Sequence, residues 1–330
     1  MRLIKLLLRV LYAWPLLLCN VTLANSSPEQ LPTIPGSVDV VFVKHANGSE
    51  SWLHYEISGE LSVTEGDIVL KDSPKGRRFA SQTSAQGIGV VNMGNLWPYG
   101  IVPYSISDFV GNELRDRIME AINHWRSFTR IHFVERNSSN AAEYSDYLEF
   151  VSGPGCASHV GRVGGRQSVW VAGNCDVGNI IHEIGHAVGM YHEHVRSDRD
   201  NYIQILWNNI ETDKYFNFEQ PQTNFTNHGD YDFASIMHYG AYHYSRNGNV
   251  TIQTIPDSMP IGQRDGLSAG DIEAIDLLYR DVPQLQVEIG ETTHVAQNDG
   301  GGGGIGVYVM IILLPLLRRL IKRGNNNAPL

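Results

Sequence analysis

The stretch that most constrains this chain runs from His182 to His192 and reads His-Glu-Ile-Gly-His-Ala-Val-Gly-Met-Tyr-His. His182 and His186 stand four residues apart, which on a helix places both imidazoles on one face, a turn from each other. Side chains so placed reach a single metal ion from one side. Glu183 follows the first histidine, where its carboxylate can meet a water at the metal without ligating the ion. Gly189 adopts backbone conformations closed to other residues, so the helix can stop there and the chain can swing round. His192 then returns as a third ligand. Three histidines leave a fourth position open, the layout of a catalytic rather than a structural zinc site. With a carboxylate beside the first ligand, the chemistry it points to is peptide hydrolysis with one Zn2+ per chain.

The rest of the 330-residue chain fits this reading. Hydrophobic residues at 42% and charged residues at 18% describe a globular protein with a sizeable core. A net charge of −10 argues against nucleic acid or anionic lipid as the main partner. Residues 1–24 read as an export signal: Arg2 and Lys5 lead an apolar run, and Thr22-Leu23-Ala24 forms a small-residue cleavage site. Export permits disulfides. Cys19 lies inside the signal, which leaves Cys156 and Cys175 as either a crosslinked pair or two buried thiols. Crosslinked, they close a loop of about twenty residues and add roughly 3 kcal/mol in the chain-entropy account.

Residues 25–86 differ in character from the centre of the chain. Pro28, Pro32 and Pro35 open the segment, and short strands are expected over 38–43, 52–57 and 68–70. Its size and position suit a removable inhibitory pro-segment, with a small non-inhibitory β domain as the alternative. Denser patterning occupies 87–285. Strands are expected at 101–106, 131–134, 148–151 and 168–172, and an amphipathic helix at 112–128 carries Leu114, Ile118, Ile122 and Trp125 on one stripe. The zinc-binding helix is expected over 177–188. A last helix over 268–279 has Ser268 placed to cap it and Asp271 three residues on. The expected fold class is α+β: a twisted mixed sheet, an active-site helix, a backing helix, and a cleft between N- and C-terminal subdomains.

Several motifs resemble the astacin family of metzincin metallopeptidases. They are His192-Glu193 with Arg196 and Asp198-Arg199-Asp200, Ser235-Ile236-Met237-His238-Tyr239, Asn95-Leu96-Trp97-Pro98, His159-Val160-Gly161-Arg162 and Ile261-Gly262-Gln263-Arg264. The resemblance implies His182, His186 and His192 as zinc ligands, Glu183 as catalytic base, and Met237 as the turn beneath the metal. It implies Tyr239 as a further, displaceable ligand that stabilises the transition state. It makes Glu193 the acceptor of the mature N-terminal amine. Arg264 becomes the specificity residue for acidic side chains just after the scissile bond, and Cys156–Cys175 becomes one of the family's two disulfides. The other disulfide is absent, because Arg130 stands at its first position and no cysteine follows Leu278-Tyr279. Zymogens of the family often carry F-x-G-D, whose Asp blocks the zinc. Here Thr64-Glu65-Gly66-Asp67 keeps the Gly and Asp without the aromatic, which marks Asp67 as the zymogen switch.

The tail has a resemblance of its own. A glycine-rich linker over 286–304 precedes an apolar stretch within 305–330 that ends in Arg318, Arg319, Lys322 and Arg323. This looks like the Gly-Gly sorting signals of some bacterial exported proteins. It implies an envelope or surface location, with the segment acting as an anchor or being removed by a tail-processing protease. The expected partners are protein or peptide substrates and an activating protease. A catalytically silent, surface-displayed adhesion module on the same scaffold is the alternative, and loss of a ligand or of Glu183 would have favoured it.

Overall fold

The computed structural model describes residues 38–44, 50–70, 93–220 and 226–283. The expected signal at 1–24, the linker at 286–304 and the tail at 305–330 lie outside the described residues.

The N-terminal part is a small antiparallel sheet in the order β1 (Val38–Lys44), β2 (Glu50–Ser58), β3 (Leu61–Thr64) and β4 (Ile68–Val69). Thr64 pairs with Ile68, so residues 65–67 must turn the chain tightly. Glu65 at φ 50° and Gly66 at φ 83° do so through two consecutive left-handed residues. Glycine enters that region freely, whereas Glu65 is held there against its preference. Asp67 is presented at the end of this turn.

The larger sheet has the order β6 (His132–Glu135), β5 (Ile101–Ile106), β7 (Tyr147–Ser152) and β8 (Arg166–Val171), all parallel. Ala157 then pairs antiparallel with Trp170 through reciprocal hydrogen bonds of 3.1 and 2.9 Å, which makes the sheet mixed, as expected. The small sheet is stitched onto this rim. Ser158 N donates to Asp67 O at 3.1 Å, and Val69 N donates to Ser158 O at 2.8 Å.

Helix α1 (Asn112–Phe128) buries Leu114, Ile118, Ala121, Ile122 and Trp125, the stripe read from the sequence with Ala121 added. It packs on α2 (Val177–Val188), and the Trp125 indole donates to Ile181 O at 3.0 Å. From Gly178 to Val188 α2 is wholly buried, so it forms the spine of the main core. Beyond it, short turns, the β9–β10 pair (Ile203–Ile205 with Ile252–Thr254) and α3 (Ala269–Leu278) complete the chain. Ile203, Ile210, Phe218, Tyr231, Tyr239 and Ile252 form a second core. Ser268 and Asp271 make the expected reciprocal cap of α3.

Cys156 and Cys175 are joined in a disulfide, with their Cα atoms 6.2 Å apart. Where the second crosslink is missing, the ends of the domain meet by other means. The Trp97 indole donates to Ala187 O at 2.8 Å, and the Tyr279 hydroxyl donates to Val188 O at 2.9 Å. Arg130, at the position of the absent cysteine, reaches α3 and lies 4.0 Å from Asp276 Oδ1.

Arg162 binds Gly94 O at 2.6 Å and Asp146 Oδ2 at 2.5 Å, while Gly165 N donates to Asp146 Oδ1 at 2.7 Å. Burial pushes the Asp146 carboxyl up, yet the Gly165 amide and the Arg162 guanidinium outweigh it and hold the group below its ordinary 3.8. A depressed carboxyl stabilises the fold above its ordinary pKa, and that stability is lost as pH falls through the folded value. Asp146→Asn is expected to cost about 1–2 kcal/mol at pH 7. The deficit should shrink in urea titrations repeated toward pH 3, and a deficit independent of pH would contradict this account.

Candidate metal centre

Helix α2 starts at Asp176, whose carboxylate accepts from Asn179 N at 2.8 Å, and ends at Gly189 with φ 114°. The glycine reverses the chain as expected and brings His192 back toward the helix. All three histidine side chains are buried.

Each ring is oriented from behind. His182 Nδ1 lies 2.8 Å from Ile236 O, His186 Nδ1 lies 2.9 Å from Met190 O, and His192 Nδ1 lies 2.8 Å from Glu65 Oε2. A carbonyl or carboxylate oxygen only accepts, so each Nδ1 carries the hydrogen and each Nε2 lone pair points inward. Asp67 sits where those lone pairs converge. Its carboxylate lies 3.3 Å from His182 Nε2, 3.5 Å from His186 Nε2 and 3.3 Å from His192 Nε2. The four ligand atoms lie within 4.8 Å of one another.

This donor set fits a divalent cation. Asp67 Oδ1, His186 Nε2 and His192 Nε2 are buried without hydrogen-bond partners, and such orphaned acceptors are costly unless a cation meets them. The electrostatics agree. Burial pushes the Asp67 carboxyl up, but the positive charge drawn to the neighbouring histidines, His192 first, holds it well below the carboxylate range. Burial pushes His192 down, but Asp67 and Glu65 bring it up to about 9. The cluster is built to surround positive charge. With a cation in place of the His192 proton, three neutral nitrogens and one carboxylate match zinc.

Glu183 is fully buried, and neither carboxylate oxygen has a hydrogen-bond partner among the described residues. Burial, followed by the Asp67 charge, pushes its carboxyl well above the ordinary value. The turn through Met237 closes the floor. Met237 is buried and its sulfur packs so tightly on α2 that a Cβ at Gly185 would stand 2.6 Å away. Asp271 fixes that turn by accepting from Ser235 Oγ at 2.6 Å and Ile236 N at 2.9 Å. Through Ile236 O, the same turn orients His182.

The Tyr239 hydroxyl donates to Glu65 O at 2.5 Å. Its ring is stacked between His194, 3.8 Å away, and His243, 4.3 Å away. Glu193 accepts from Asp232 N at 2.8 Å and borders a cavity of about 270 Å³ with Leu96, Tyr191, Asn227, Leu278 and Arg280. Burial raises its carboxyl to about 8, against the pull of Arg196. Arg264 turns inward and donates to Gln263 O at 2.7 Å and His238 O at 3.2 Å.

Comparison with known proteins agrees with this geometry. Residues 89–280 match the peptidase family described as Astacin. The chain belongs to the astacin family. It is 34% identical over 249 residues to nematocyst expressed protein 6 of Nematostella vectensis, covering 73% of this chain and 85% of that protein. Zinc metalloproteinase nas-13 of Caenorhabditis elegans is 40% identical over 270 residues, covering 77% of this chain and 58% of the relative's length. Among solved structures, high choriolytic enzyme 1, a hatching enzyme zinc-protease from the medaka Oryzias latipes, superposes with a TM-score of 0.53 at 36% identity. That match covers 59% of this chain and 99% of the other. As an astacin the chain is a zinc metalloendopeptidase with the α+β metzincin fold.

The structure brings together Asp67, His182, His186 and His192, with Glu183 on the same helix and Met237 beneath. Glu65 was not singled out in the sequence, and neither were the rings that flank Tyr239. Long-range contacts made by a turn and by isolated histidines leave no periodic signal. Loss of Asp271 leaves buried donors around the Met237 turn unsatisfied. Asp271→Ala is therefore expected to cost about 2–3 kcal/mol and to weaken zinc retention roughly 10-fold. Competition against a chromogenic chelator measures the second effect, and unchanged retention would show that the turn does not orient His182.

Proposed function

We propose that this astacin is exported as an inactive precursor and hydrolyses peptide bonds in proteins once the segment containing residues 38–70 is removed. The observation that carries this reading is the seat of Asp67, 3.3 to 3.5 Å from all three histidine Nε2 atoms. A carboxylate there competes with substrate for the same place.

In this reading His182, His186 and His192 hold the zinc and Asp67 takes the remaining position in the precursor. Zinc, when bound, supplies the Lewis acid that polarises the scissile carbonyl and makes water acidic near neutral pH. Glu183 takes the proton of the attacking water on its carboxylate and returns it to the departing amine nitrogen. Its place beside His182 on α2, with neither carboxylate oxygen hydrogen-bonded among the described residues, supports that role. Once Glu65 has left, the Tyr239 phenol is free to donate to the oxyanion that develops on the scissile carbonyl.

Removal of the segment also creates a new N-terminus. Glu193, beside its cavity, is the acceptor for that amine, and the two charges would pair in a site that burial has prepared. An activating protease cutting after Arg77-Arg78, with trimming toward residues 87–88, would generate it. Arg264 is the residue proposed to read an acidic side chain just after the scissile bond. Its inward hydrogen bonds mean that the guanidinium must turn to do so. The signal at 1–24 and the tail at 305–330 support export with surface or envelope association. Among the described residues no helix is long and apolar enough to cross a membrane.

Two variants test the reading. Asp67→Ala precursor, left uncut, should cleave casein where the parent precursor does not, and equal silence of both would refute the plug. In the processed enzyme Glu183→Ala should lower kcat by about 10²–10⁴-fold. A chelator should abolish activity and added Zn2+ restore it, so turnover that survives complete zinc removal would end the zinc assignment.

A further inference from the structure

The three zinc-binding rings are not oriented alike. His182 Nδ1 and His186 Nδ1 face the backbone carbonyls of Ile236 and Met190, both within residues 89–280. His192 Nδ1 donates instead to a side chain, Glu65 Oε2 at 2.8 Å, which comes from the turn between β3 and β4. The contact is closed to water, with the His192 and Glu65 side chains 0% and 8% exposed. The same residue meets the site a second time, because its carbonyl accepts from the Tyr239 hydroxyl at 2.5 Å. Glu65 holds this place in a left-handed conformation, at φ 50°. A glycine would make the turn without strain, and strain of this kind persists where the surroundings over-determine it. What glutamate adds over glycine at this position is its carboxylate.

A carboxylate behind an imidazole fixes the ring and makes its other nitrogen a better donor to a metal, more so than a neutral carbonyl does. Glu65 and Asp67 therefore bear on the metal centre from opposite sides. Asp67 faces the Nε2 atoms directly, and Glu65 acts through the far nitrogen of His192. Neither side chain fixes the turn on the larger sheet. That is done by backbone, through Ser158 N to Asp67 O at 3.1 Å and Val69 N to Ser158 O at 2.8 Å. We propose that Glu65 is a positioning residue for His192, so that the segment which blocks the metal centre also strengthens its hold on zinc. The uncut chain is then the form that acquires and keeps the metal. Cutting takes away the carboxylate behind His192 while the carbonyls behind His182 and His186 stay, and the active enzyme gives up zinc more readily. This consequence of cutting rests on the reading of residues 38–70 as a removable segment.

The test measures zinc affinity of the uncut chain by competition against a chromogenic chelator, together with the visible spectrum of the Co2+-loaded chain, which reads the ligands at the metal. Glu65→Gln keeps the size of the side chain and an acceptor oxygen but removes the charge. It is expected to weaken zinc binding about 10-fold and to shift the Co2+ bands. Introduced into Asp67→Ala, the same change should again cost about 10-fold, since the backbone anchors at Ser158 remain. Unchanged affinity, or weaker binding with unmoved Co2+ bands, would overturn the assignment. So would a loss that vanishes in the Asp67→Ala background, because Glu65 would then act only by holding the plug. The processed enzyme, its start fixed by N-terminal sequencing, should match the uncut double variant in zinc affinity. Processed enzyme that binds zinc as tightly as uncut Asp67→Ala would overturn the assignment while leaving the removable segment standing. Active enzyme that still contains Glu65 would overturn the removable segment, and the loss of affinity on cutting with it, while the Glu65→Gln comparison still decides the role at His192.

Discussion

The structure depends on one electrostatic convergence, in which three imidazole lone pairs and the Asp67 carboxylate meet in a space from which water is excluded. None of these groups tolerates burial alone. Their arrangement explains why helix α2 is buried along its length, why the chain reverses at Gly189, and why the turn at Met237 is clamped by Asp271. It also explains the small sheet at the N-terminal side. A two-residue β4 would have little reason to persist alone, yet it is fixed by Ser158 on one side and delivers Asp67 on the other. The small sheet and the metal centre are therefore one electrostatic unit.

Much of the fold was legible in the sequence because the signals were local and periodic. The stripe of α1, the extent of α2, the cap of α3 at Ser268 and Asp271, and the strands of the larger sheet, though not their parallel pairing, follow from spacings of two, three and four residues. The zinc-binding stretch was legible for the same reason, since its ligands lie on one helix and the turn after it. The position of Asp67 was legible only through the family resemblance, because nothing in the local pattern says that a turn at 65–67 reaches a helix more than a hundred residues away. Glu65 and the Glu56–Lys214 pair lay beyond sequence reasoning altogether. Their partners are set by how one sheet lies on another part of the chain, which no periodicity encodes.

The absent second disulfide illustrates a different kind of substitution. Family members that possess it tie the ends of the domain covalently, whereas this chain relies on Trp97 and Tyr279 at the end of α2 and on the Arg130–Asp276 contact. The two indole and phenol hydrogen bonds are buried and carry most of that work. The Arg130 pair is exposed and adds little, on the order of 0–1 kcal/mol. The ends are therefore held by packing into the same core that supports the zinc helix, which couples the integrity of the termini to the geometry of the site.

Tyr239 lies between two nearly parallel rings, tilted by 21° against His194 and by 20° against His243. Stacked faces leave a ring room to slide in its own plane and resist its turning edge-on. The imidazoles thus act as a slot that fixes the plane of the phenol ring. His194 and His243 thereby set the plane in which the Tyr239 hydroxyl would work in the proposed reaction.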